Sequence, residues 1–488
     1  MGGHDLLKKC IAVAAAFCFL LPLASCGQND QKNISSGPDE VTPAAEESTV
    51  STETEGTENE EEITSATEEP PSSEESTEES EALVPGEEET PVYLFFGRPM
   101  DEARWALNRK TLEAAGSGLC DLTSYEMPTR GEVLQLIEVY KMPDVVLFDD
   151  VPAEEEEADP VREALEENKN TGLLQENADA PADIRYAILT DNADVRSFPS
   201  SVKSWDREGA NALDLFQETR LSLGEGVILL HSSSDGEWLF VQAQNYAGWI
   251  PAACAAFCTE EEFLNYLTRS SFVVTLEPEL EFREKELRLA TILPYSDQTQ
   301  HYYFIDFPER DPESGNLRII RRSLKKSDSI SDGYLDPGFD SLMALIPDFT
   351  GTAYGWGDSD NLYDCSSTLG LLYRAQGIYL PRNTSQMKWI GQDTADVGAW
   401  TDEEKTAYFE DRPGALLVMN GHVMLYLGKE GEEHLVFHET TGYNTSEGNY
   451  QDLHQAVIIP LEQLYDSAGN SFTGRISYIA DPLEGGFR

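Results

Sequence analysis

The chain has 488 residues, with 90 Asp and Glu against 34 Lys and Arg, a net charge of −56 at neutral pH. So acidic a chain is excluded from nucleic-acid binding, because phosphate contacts need the opposite sign. No cysteines with zinc-type spacing and no phosphate-cradling glycine loop occur, so neither a metal nor a cofactor is expected.

Lys8 and Lys9 precede an apolar run from Ile11 to Leu23 that is too short for a comfortable membrane span and closes on Leu23-Ala24-Ser25-Cys26. These residues resemble a lipoprotein signal of residues 1–26, cut by signal peptidase II and leaving Cys26 as the lipidated first residue. In the alternative, an ordinary secretory signal, Cys26 is incidental. Both put the mature chain outside the cytoplasm, and the first anchors it to the membrane. Residues 27–90 then hold 21 acids and one lysine among Ser, Thr and Pro, with almost no large apolar side chain. They bury too little surface to offset chain entropy and are expected to form a disordered, self-repelling tether.

Residues 91–178 read as a small helical unit, in which Val133, Leu136, Ile137 and Tyr140 form one stripe of a helix over Arg130–Tyr140. Residues 179–262 read as short strands separated by turns: Tyr186–Leu189, Val195–Arg196, Gly226–Leu230, Glu237–Gln242 and Gly248–Ile250. With Asp194-Val195-Arg196-Ser197-Phe198-Pro199, Asp235-Gly236-Glu237-Trp238 and Tyr246-Ala247-Gly248-Trp249, this stretch resembles a bacterial SH3-type barrel. Cys254 and Cys258 are four apart in an expected helix, without good disulfide geometry. Residues 263–340 are expected to form a second such barrel, from strands at Phe272–Thr275, Leu289–Leu293, Tyr302–Ile305 and Leu317–Ile320.

Residues 341–488 carry the chemistry. In Tyr363-Asp364-Cys365-Ser366-Ser367 a lone cysteine stands where a helix begins; helix formers run from Thr368 to Gln376, and Gly377 suits the position after the last turn. In the first turn, unpaired N–H groups and the helix dipole favour thiolate over thiol, the form that attacks carbonyls. The segment Gly421–Gly428 reads as a strand with His422 at its entry, and His434–Phe437 as a second strand leading to His438. In a hairpin of the two, His422 takes the proton from Cys365 and His438 fixes its tautomer. His434 competes for the orienting role, but it stands beside Glu432 and Glu433 in an expected solvated turn, so His438 is preferred.

Tyr354-Gly355-Trp356-Gly357, Asp364-Cys365-Ser366, Leu380-Pro381-Arg382-Asn383-Thr384-Ser385-Gln386, and Pro413-Gly414 leading into Gly421-His422-Val423 resemble the NlpC-type cysteine peptidases of bacterial cell walls. Two departures stand out: the family's usual Gly-Gly after the tryptophan is Gly357-Asp358, and its usual glycine after Asp-Cys-Ser is Ser367. The resemblance implies a multidomain α+β protein with a papain-like α+β catalytic domain, Cys365 as nucleophile, His422 as base, His438 as third polar residue and Tyr354 at the oxyanion. It further implies that an acid and a tyrosine of the first barrel, matched by Asp214 and Tyr246, join Asp364 and Ser366 in binding the free amine of an N-terminal L-Ala. Asp364 has the competing role of capping the Cys365 helix. The implied activity is cleavage of peptidoglycan stem peptides between γ-D-Glu and the diamino acid. An amidase or acyltransferase using the same thiol is one alternative, and a wall-binding lipoprotein with an inactive catalytic domain another.

Overall fold

The computed structural model describes residues 93–483 except 115, 144–146, 149–154, 208, 210–211 and 392–393. Cys26 and the acidic tether lie outside the described residues. No described helix is long and apolar enough to cross a membrane.

The first β unit is a seven-stranded antiparallel sheet in the order Ala255–Cys258, Arg185–Leu189, Gly226–Ser232, Trp238–Gln242, Ala247–Pro251, Ala193–Arg196 and Gln217–Leu221. Both faces are apolar. Ala187, Leu229, Val241 and Ile250 fill the barrel interior, while Ile188, Ile228, Phe240 and Trp249 pack outward against the helix Arg130–Glu138. That helix is capped by Thr129 in a capping box with Glu132, and it buries Val133, Leu136 and Ile137. The stretch expected as one helical unit therefore divides. Its second helix belongs to the barrel, whereas the helix Glu102–Glu113 clips onto the C-terminal domain through Asn108, whose amide bonds Gly377 O at 2.8 Å and Tyr379 N at 2.9 Å.

The helix expected around Cys254 and Cys258 is absent: Cys254 ends a single 3₁₀ turn and Cys258 ends a strand paired with Arg185–Leu189. An alanine-rich run favours helix by propensity, but pairing with an open strand edge overrides so weak a preference. The strand Gln217–Leu221, read from sequence as no element at all, is the barrel's edge against the C-terminal domain.

The second β stretch folds as a five-stranded sheet in the order Leu317–Lys325, Tyr302–Arg310, Ile292–Gln298, Phe272–Thr275 and Ile330–Asp332, with a separate hairpin, Glu279–Phe282 and Lys285–Arg288. Arg283 and Glu284 turn this hairpin with φ of 55° and 62°, the left-handed pair that suits a two-residue turn. The hairpin delivers Glu286 and Arg288 to the catalytic domain.

That domain is a six-stranded antiparallel sheet in the order Ala395–Asp396, Tyr478–Ala480, Leu416–Met419, His422–Glu430, Glu433–Asn444 and Tyr450–Pro460. The helix Cys365–Arg374 lays Leu369 and Leu372 on Val423, Leu425 and Phe437; the other face holds Met424, Tyr426 and Val436 against Phe409, Leu464 and Ile479. Alternation along each strand sends one set of side chains to the cysteine helix and the next to the opposite core.

Candidate active site

Asp364 starts the cysteine helix. Its carboxylate accepts from the N–H groups of Ser366 at 3.0 Å and Ser367 at 2.9 Å, and Ser367 Oγ closes the box by accepting from Asp364 N at 3.0 Å. Cys365 is thereby the first helical residue, buried at the positive end of the dipole. His422 follows the two-residue turn Asn420-Gly421, where Gly421 adopts φ 77°. The Cys365 helix packs against the strand of His422, and the Asp364 carboxylate beside the thiol acts on the imidazole through space.

His438 lies on the adjacent strand, fully buried, with Nδ1 2.7 Å from His422 Nε2. When His422 donates from Nε2 to His438, its Nδ1 is left to receive a proton. Burial, helped by the charge of Arg475, holds His422 down to about 4, and burial keeps His438 well below its usual range. Both rings are neutral near pH 7, as a proton acceptor and its orienter require.

His434 is not the solvated residue that its neighbours suggest. It is buried against Phe409 and Tyr426, with Nδ1 2.6 Å from Glu462. Tyr354 is half-buried and pairs with Tyr363, two residues before the thiol, while Gly355 N donates to Tyr363 O at 2.8 Å. It therefore stands at the entrance to the cysteine helix.

Beyond Asp364 the surroundings of the cysteine helix are polar. Arg382 holds Asp364 through both guanidinium nitrogens, at 2.7 and 3.2 Å, and donates to Ser366 Oγ at 2.8 Å. The guanidinium and the capping N–H groups keep the Asp364 carboxyl below its usual range despite burial. Arg382 Nε also bonds Thr219 on the barrel's edge strand. Beside Thr219, Glu218 accepts from Tyr246 Oη at 2.5 Å, and burial pushes its carboxyl up to about 7, against the pull of Tyr246, Arg382 and Arg196.

Asp214, the barrel acid expected to meet Tyr246, is committed elsewhere. It is buried, Oδ2 pairs with Arg196 at 2.9 Å, and Oδ1 accepts from Ser204 N and Phe216 N. The carboxylate that meets Tyr246 is Glu218, which sequence reasoning missed. The signal was present: Gln217-Glu218-Thr219-Arg220-Leu221 alternates buried and half-buried residues, but the buried set includes Gln and Thr, which mark no strand by hydrophobicity. Arg382 was legible within its motif, though not as the residue that ties Asp364 to the barrel.

A thiol at a helix N-terminus, a neutral imidazole and a second imidazole that orients it form the constellation of a cysteine hydrolase on an α+β fold. Residues 351–458 match the model of the NlpC/P60 family, and residues 206–251 that of the SH3 domain of SH3b1 type. The chain carries an NlpC/P60 domain, the domain of a family of cysteine peptidases, at its C-terminus with an SH3b domain upstream. Among solved structures it is similar to an NlpC/P60 endopeptidase from Photobacterium damselae subsp. piscicida, with 21% identity, a TM-score of 0.54, and coverage of 66% of this chain and 78% of that one. An NlpC/P60 family protein from Bacillus cereus ATCC 10987 matches with 18% identity, a TM-score of 0.43, and coverage of 61% and 99%. No curated protein matches the chain.

Proposed function

We propose that the chain is an endopeptidase for short peptidoglycan peptides, cutting between γ-D-Glu and the diamino acid where the substrate begins with a free L-Ala amine. Cys365 attacks the carbonyl, His422 takes its proton and returns it to the leaving amine, His438 orients His422, and Tyr354 with backbone N–H groups faces the oxyanion. Water then releases the acyl-enzyme.

The observation that carries the substrate reading is the bonded pair of Glu218 and Tyr246 within the field of Arg382, which itself holds Asp364 and Ser366. Two carboxylates thus stand near Arg382, of which Asp364 is already paired with it. Among the described residues no cation is hydrogen-bonded to Glu218, on which Arg382 and Arg196 act only through space, and a substrate ammonium supplies a direct partner. A wall strand, whose L-Ala nitrogen is acylated, brings no such charge. The signal ending at Cys26 supports placing this enzyme outside the cytoplasm on a lipid anchor.

Mass spectrometry of products from L-Ala-γ-D-Glu-diaminopimelate and its N-acetylated twin, with the full chain and its Cys365→Ala variant, tests the reading. Release of L-Ala-γ-D-Glu from the free-amine peptide alone, lost in the variant, supports it. Equal cleavage of both removes the amine site, a different bond points to an amidase, and no cleavage favours a wall-binding protein.

A further inference from the structure

The loop before the cysteine is unusual. Gly357, Asp358, Asp360 and Asn361 all have positive φ, at 58°, 63°, 55° and 64°, in a segment of six residues. Outside glycine such backbone is costly and persists only where neighbours over-determine it. Both β units supply the restraint. From the first, Gln217 Nε2 bonds Gly357 O at 2.8 Å and Lys203 pairs with Asp360 at 3.2 Å. From the second, Glu286 accepts from Asn361 and Arg288 donates to Asp358 Oδ2 at 3.0 Å.

Asp358 is the point where these restraints reach the thiol. Its Oδ1 accepts from Ser367 Oγ and, at 3.2 Å, from Asp364 N, the two groups that frame Cys365 in the first helical turn. Arg288 and Asp358 are both buried, at 1% exposure. Asp358 and Ser367 thus bond one another directly. A glycine at either position leaves the other side chain buried without this partner, which costs more than never having made the bond.

We propose that Asp358 and Ser367 are a matched pair of positioning residues, locking the N-terminus of the Cys365 helix to Arg288 of the neighbouring β unit and so aiming the thiol at His422. The pair rests on Cys365 being the nucleophile. It acts on the orientation of the thiol and touches no substrate.

The test is peptide-resolved iodoacetamide alkylation of Cys365 against pH, which needs no peptide substrate, on the full chain and its Asp358→Gly, Ser367→Gly and doubly substituted variants. The native thiol is expected to titrate well below the ordinary value of about 8.5. Each single variant is expected to raise that midpoint by about half a unit or more and to slow alkylation near pH 7 several-fold. The double variant, with glycine at both positions, is expected to shift no further than the worse single one.

The direction discriminates. If Asp358 acted only as a charge, its loss would lower the midpoint, so a downward shift overturns the proposal. Unchanged midpoints, or single effects that simply add in the double variant, also overturn it. A native midpoint near 8.5 overturns both the pair and the nucleophile assignment, whereas a low native midpoint without coupling leaves the nucleophile standing and removes the pair. Because Asp358→Gly strands a buried Arg288, Ser367→Ala, which leaves the Arg288–Asp358 pair intact, keeps the proposal readable if that variant does not fold: an unchanged midpoint in Ser367→Ala overturns it.

Discussion

Cys365 and His422 stand on a helix and a strand whose shared contacts are Leu369, Leu372, Val423, Leu425 and Phe437, an apolar core of periodic side chains. Glu218 stands on a strand held across the domain boundary by bonds between Gln217 and the Gly357 carbonyl and between Thr219 and Arg382, which in turn holds Asp364 and Ser366. At the thiol end packing fixes the backbone, and the reactive groups ride on it. At the amine end the polar groups are themselves the joint between domains. On the proposed function, the thiol end makes the acyl-enzyme and the amine end selects the peptide that reaches it.

The largest effect expected from this division is loss of turnover on every substrate when the thiol goes. Cys365→Ala is expected to lower kcat by on the order of 10⁴-fold or more, for free-amine and acetylated peptides alike, in a product assay. Residual cleavage of one peptide class would mean that the amine end contributes chemistry of its own.

Next comes the acid of the amine end. Glu218→Gln is expected to cost about 2–4 kcal/mol in kcat/KM for the free-amine peptide, roughly 30- to 900-fold, and almost nothing for alkylation of Cys365. The pH profile carries the same distinction. Glu218 must be ionised to pair with an ammonium, and burial has raised it to about 7 in the free enzyme, so kcat/KM for that peptide rises through about pH 7. The glutamine variant should lose that rise, while the fall below about pH 4, where His422 takes up a proton, should survive in both. A variant that weakens alkylation as much as peptide cleavage would erase the boundary between the two ends.

A smaller change is expected from the orienting imidazole. His438→Ala leaves His422 Nε2 without its partner at 2.7 Å and should lower kcat roughly ten- to hundredfold with little change in KM. A KM effect that dominates would place His438 in substrate binding.

The smallest effect concerns Glu439, next to His438, which is buried and accepts from Thr352 Oγ1 at 2.8 Å. Burial, with Asp364 and Asp358 nearby, pushes its carboxyl up to about 8 from an ordinary 4.5. The folded state therefore binds more protons than the unfolded one, so this group's contribution to stability falls as pH rises from about 4.5 to about 8. Glu439→Gln keeps a partner for Thr352 and does not titrate. Its melting temperature should match the native chain at about pH 4 and exceed it by roughly a few degrees at about pH 9.

Much of the thiol end was legible because its signals are local. A capping residue, a cysteine, a run of helix formers and a closing glycine lie within Asp364–Gly377, and the helix occupies Cys365–Arg374. The strands of His422 and His438 read as short apolar runs, one opening and the other ending on an imidazole. His438 was preferred over His434 for a reason that does not hold, since His434 is buried on Glu462; what separates the two is that only His438 meets His422. At the amine end the resemblance matched Asp214 as the barrel's acid. Asp214 was already consumed by Arg196, and no periodicity reports which of two acids in one barrel is bonded inward.

Sequence alone carried the order and kind of the reacting groups, the helix that bears the thiol and the β character of the two units ahead of it. Each depends on neighbours within a turn or a strand, where geometry follows from backbone periodicity. The meeting of Glu218 and Tyr246 with Arg382, the bond between Asp358 and Ser367, and the reach of Arg288 to the cysteine helix came only with the folded chain. They are polar contacts, several of them between distant segments, and a hydrogen bond leaves no repeating mark on the residues that make it. Only packing the domains together, where buried polar groups must find partners, selects them.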